Sequence, residues 1–77
     1  MKTYIILQGY DDLGETVAGV EQSPWCADNK ARQVHHMLHP SNNGYLAIEI
    51  WTPGDRTYDV RYTWREGVEI DFYGQVA

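Results

Sequence analysis

Residues 26 to 39 hold the side chains of this chain best suited to chemistry: the one cysteine, Cys26, and the three histidines, His35, His36 and His39. A thiolate beside an imidazole is a nucleophile with its base, and imidazoles grouped with a thiolate are a zinc ligand set. Whether these residues meet depends on the element that carries them. Ser23-Pro24 is a helix start, because serine accepts from the free amides of a first turn and proline is tolerated at the first helical position. Ala27, Ala31, Val34 and Leu38 follow at spacings of four, three and four, the apolar stripe of an amphipathic helix. Pro40 ends it and "SNNG" is the loop out, so the spacing predicts a helix over 24–38.

Wound at about 100° per residue, the four side chains do not converge. His35 and His39 fall on one flank of the stripe and His36 points to solvent. Cys26 falls on the opposite flank, roughly two to three turns away. An i, i+4 pair of His35 and His39 supplies two of the three or four ligands that zinc requires. Asp28 shares their azimuth but lies about 10 Å along the axis. Cys26 stands in the first turn, where the helix dipole lowers a thiol pKa, yet the histidines at the far end leave it without a base. The expectation is a chain with no metal site, no catalytic residue and no cofactor. Its histidines face the negative end of the helix dipole, and a small metal- or thiol-dependent enzyme is the least favoured reading.

The other elements read as strands. "KTYIILQ" is β-branched and aromatic with apolar residues on both faces, a central strand. "YDDLGE" is a turn, and "ETVAGVEQ" is a weaker second strand that completes a hairpin. After the helix, "YLAIEIW" alternates cleanly, with Leu46, Ile48 and Ile50 on one face and Tyr45, Glu49 and Trp51 on the other. "TYDVRYTWR" follows the "TPGDR" turn and sets Tyr58, Val60, Tyr62 and Trp64 against Asp59, Arg61, Thr63 and Arg65. "VEIDFYG", after a Glu66-Gly67 turn, reads as a last strand with Val68, Ile70 and Phe72 inward and Glu69, Asp71 and Tyr73 outward. The predicted order is β-β-α-β-β-β: a two-layer α+β domain with an antiparallel sheet of about five strands whose core face is covered by the single helix.

A chain of 77 residues is one domain, spanning 1–77, with a thin core and little room for an enclosed active site. Its 11 acidic and 6 basic residues give a net charge of -5, which disfavours nucleic acid and anionic lipid and suits a basic partner. A lone cysteine forms no internal disulfide, which fits a reducing cytoplasm. The apolar run in "MKTYIILQGYDD" is too short for a signal peptide or a membrane span. Phosphate-binding glycine loops, HExxH and GxSxG are absent from the sequence.

The remaining candidates lie on the outward face of the sheet. Tyr45, Trp51 and Tyr73 are expected there with Glu49, Arg61 and Arg65, and tyrosine, tryptophan and arginine are the residues that dominate binding hot spots. Asp11, Asp12 and Glu15, in and after the first turn, could steer the chain towards a basic partner. The "MKTYII" opening strand, the helix entered by "SPW" and the strands "GYLAIEIW" and "VEIDFYG" together resemble, in layout, the small anti-CRISPR proteins that phages and mobile elements use against host defences. That resemblance implies a non-enzymatic inhibitor in the host cytoplasm, which binds a CRISPR effector complex and blocks it by steric or charge occlusion. It implies no particular binding residue. The alternative is a small self-associating structural protein, a homodimer through its exposed sheet.

Overall fold

The computed structural model describes residues 1–38 and 43–76. Along the chain run β1 (Thr3–Tyr10), β2 (Gly14–Glu21), α1 (Pro24–His36), β3 (Gly44–Trp51), β4 (Val60–Arg65) and α2 (Phe72–Val76). The strands form one antiparallel sheet in the order β2-β1-β3-β4. The α+β layout with its antiparallel sheet and covering helix therefore stands, with four strands among the described residues rather than about five.

The helix starts where its sequence says. Ser23 caps it by accepting from the Cys26 amide at 3.1 Å, and Pro24 opens the first turn. Regular helix ends at His36, two residues short of the predicted end, and Leu38 is nonetheless buried. Pro40, the expected stop, lies outside the described residues. Ala27 and Ala31 are fully buried and let α1 approach the sheet closely over Tyr4, Ile6, Leu46, Ile48 and Ile50.

The "VEIDFYG" segment is not a strand. A turn closes after β4, with Val68 N–H donating to the Arg65 carbonyl at 3.1 Å and Gly67 at φ 83°, but no ladder follows it. Ile70 and Phe72 go inward as expected, whereas Val68 is 50% exposed. The chain then turns into α2. The Asp71 carboxylate overlies Gly74, where a side chain would collide with it. Three apolar residues at period two mimic a strand, but two of them, Ile70 and Phe72, are buried by an irregular segment that enters a helix. Phe72 is fully buried and meets Tyr4, Tyr62 and Trp64 edge-on, with ring centroids 5.5 to 6.2 Å apart.

Asp28 holds α2 in place. It is 4% exposed, accepts from Arg32 Nε at 2.8 Å and from the Tyr73 amide at 3.3 Å. A buried carboxylate is tolerated because both oxygens are used. Among the described residues no helix is long and apolar enough to cross a membrane.

Candidate functional site

The histidine and cysteine cluster separates on the helix. His35 is half-buried and its Nε2 donates to the Arg65 carbonyl at 2.9 Å, while His36 and Cys26 are exposed. His39 lies outside the described residues. Among the described residues no three histidine, cysteine, aspartate or glutamate side chains group as metal ligands.

Both helices pack on one side of the sheet, and the other side is the open face. Strand register sets its side chains in cross-strand rows: Val20, Ile5, Glu49 and Arg61 in the first, Val17, Leu7, Ala47 and Thr63 in the next, and Glu15, Gly9, Tyr45 and Arg65 in the third. Trp51 extends the β3 side of the first row, opposite Thr3. Tyr45, Glu49, Trp51, Arg61 and Arg65 thus share this face. Tyr73 does not. It stands on α2, where its ring packs edge-on against Trp25 at 5.5 Å, and Glu69 left the face with the lost strand. Tyr58, expected inward on β4, precedes that strand, and its ring packs against Trp51 at 6.3 Å.

Arg61 organises the face. Its Nη1 donates to Glu49 Oε2 at 2.8 Å and Glu15 Oε1 at 3.3 Å, and its Nη2 donates to Glu15 Oε2. Tyr45 Oη adds a bond to Glu15 at 2.8 Å and Trp51 Nε1 one to Glu49 at 3.1 Å. Arg61 is on one edge strand and Glu15 on the other. On a flat sheet they would stand about 14 Å apart across the strands and about 13 Å along them, more than the two side chains span. The sheet twist brings these opposite corners together, so the open face is a trough crossed by an ion-pair strut. Under the strut lie Leu7, 8% exposed, and Ala47, fully buried, although no helix covers them. Gly9 is required beneath Tyr45, because a Cβ there would fall 2.6 Å from the phenol carbon and oxygen.

The acidic residues expected to steer a partner are already engaged. Asp11 forms an ion pair with Arg65 at 2.8 Å, Glu15 binds Arg61, and Asp12 accepts from Asn43 at 3.1 Å. Arg65 also lies over the Tyr45 ring at 5.3 Å. The Arg61 hydrogen bond, assisted by Tyr45, holds the Glu15 carboxyl below its ordinary 4.5, and the Glu15 carboxylate in turn raises the Tyr45 phenol. A carboxyl whose folded pKa is depressed contributes stability that is complete above its unfolded value and is lost as pH falls through the lower folded value. Acid unfolding below about pH 4.5 should therefore be shallower in Glu15→Gln than in the native chain, as measured by urea melts at stepped pH. Equal pH slopes would show that the strut contributes nothing to the acid limb.

Comparisons with protein-family models, with curated proteins and with solved structures find no match to this chain.

Proposed function

We propose that the chain is a non-enzymatic protein-binding inhibitor that docks through the open trough. The observation that carries this reading is the trough itself: half of the sheet surface has no helix over it and presents the Trp51–Tyr58 aromatic pair beside the Arg61 cluster. An aromatic anchor flanked by side chains already locked in place costs little entropy on binding. Tyr45, Glu49, Arg61 and Arg65 act here mainly by shaping and holding the surface, and Trp51 with Tyr58 supplies the contact. Tyr73 and Trp25 form a separate aromatic pair on the helical side.

The partner class follows from charge and from the layout resemblance. The strut and the Arg65–Asp11 pair set three carboxylates against two guanidiniums, so most of the net charge of -5 lies off this cluster. That outer charge attracts a basic surface while the trough makes the close contact. That partner is the basic, nucleic-acid-handling surface of a CRISPR effector complex in the host cytoplasm, blocked by occlusion, as for a phage-encoded anti-CRISPR protein. The test is binding of the purified chain to purified effector complexes. Trp51→Ser with Tyr58→Ser should weaken binding at least about a hundredfold, a loss of roughly 3 kcal/mol, with circular dichroism unchanged. Undiminished binding by this variant removes the trough as the docking surface.

A further inference from the structure

We propose that the chain forms a symmetric dimer through its edge strand β2, which pairs antiparallel with β2 of a second copy in the register that sets Val17 opposite Val20. This interface is distinct from the trough and does not depend on the inhibitor reading.

Among the described residues the sheet has two edge strands, β2 and β4. β4 is ill suited to meet itself. Antiparallel pairing centred on Thr63 would set Arg61 opposite Arg65, two like charges on one face. β2 differs in two respects. Val17 and Val20 are 62% and 55% exposed on the open face, where the apolar rows through Leu7 and Ile5 run out into solvent. The second respect is the bulge. Ile6 pairs with Gly19 and Leu7 with Val17, so Ala18 is an extra residue that packs against the core cluster. Its insertion reverses the alternation midway along the strand. Glu15 and Val17 before it face the trough side, as does Val20 after it, while Thr16, Gly19 and Glu21 face the helix side.

Paired strands must keep like faces on one side of the sheet. With Val17 opposite Val20 this holds along the strand: the valines meet on the trough side, and Thr16 meets Glu21 on the helix side. The four valines of the two copies then cluster at the twofold axis, and no like charges stand opposite one another along the strands. The product is one continuous eight-stranded sheet, twice the four strands of the chain. Its two troughs open on the same side and offer a partner two Trp51–Tyr58 anchors at once. The charge of -5 on each copy opposes association. Salt screening therefore strengthens this dimer, the reverse of its effect on docking to a basic partner.

Sedimentation equilibrium of the full chain at low and high salt tests the proposal. The expected result is twice the chain mass at high concentration, a tighter dimer in high salt, and slowed amide exchange along β2. Val20→Lys should weaken the dimer more than about tenfold, while circular dichroism is unchanged because the residue is exposed. Val17→Glu combined with Val20→Lys should restore it, because in this register each introduced carboxylate lies opposite an introduced ammonium of the other copy. A chain monomeric under every condition overturns the proposal. So does a dimer that Val20→Lys leaves intact, or one that Trp51→Ser dissolves, which would place the interface in the trough.

Discussion

Phe72→Ala should cost about 4 kcal/mol, within the range for removing a buried ring. The folding free energy of a domain this size is on the order of 4–12 kcal/mol in total, so the substitution removes a large part of it. Phe72 is fully buried and closes an aromatic cluster with Tyr4, Tyr62 and Trp64, so its loss leaves three rings facing a void. The backbone can respond by undocking α2, which would limit the cost to the free energy that holds that helix in place. Two measurements separate these outcomes. Urea melts followed by tryptophan fluorescence give the global loss, and amide exchange along α2 reports undocking. Asp28→Asn is the companion variant. It keeps an acceptor for the Tyr73 amide and weakens the Arg32 contact, so it should loosen α2 with a far smaller global effect. A Phe72→Ala chain as stable as the native one would mean that the aromatic cluster does not hold the C-terminal segment.

Arg61→Ala should cost about 2 kcal/mol, between the value of a surface ion pair and that of a buried one. The side chains involved are partly shielded, with Arg61 at 24%, Glu15 at 30% and Glu49 at 12% exposure. Two effects combine. The carboxylates of Glu15 and Glu49 lose the charge that reconciles them, and the guanidinium stem no longer covers Leu7 and Ala47. Because the strut links the two edge strands, the β1–β2 hairpin should gain most in amide exchange. Arg61→Lys keeps the charge but cannot engage both carboxylates in a fork, so it should recover only part of the loss. Urea midpoints of the two variants, measured with Glu15→Gln, decide this. Equal stability of the native and Arg61→Ala chains would reduce the strut to a surface ornament.

Much of the frame is legible in the sequence because it rests on local rules. The Ser23 cap, Pro24 and the apolar stripe through Ala27 and Ala31 define α1 from short-range geometry alone. The alternation in "YLAIEIW" and around Arg61 to Arg65 puts Tyr45, Glu49, Trp51, Arg61 and Arg65 on one face, since neighbouring strands in register preserve that assignment. The same rule fails at "VEIDFYG", where Val68, Ile70 and Phe72 obey period two but a helix starts at Phe72, and Tyr73 goes with it to the helical side, against Trp25. Tyr58 departs from its expected inward position because the strand starts at Val60, later than its alternation suggests.

The sequence by itself determined where α1 starts, which stripe it buries and which faces of β3 and β4 look outward, because periodicity and capping act over a few residues. Only the tertiary structure decided that Arg61 would reach Glu15 on the far edge, that two of the expected steering carboxylates, Asp11 and Glu15, would be engaged in ion pairs and Asp12 in a hydrogen bond with Asn43, and that the bulge at Ala18 would turn Val17 and Val20 to the same face. Those outcomes depend on strand order, register and sheet twist, which bring together residues 46 positions apart. No local pattern encodes such a meeting.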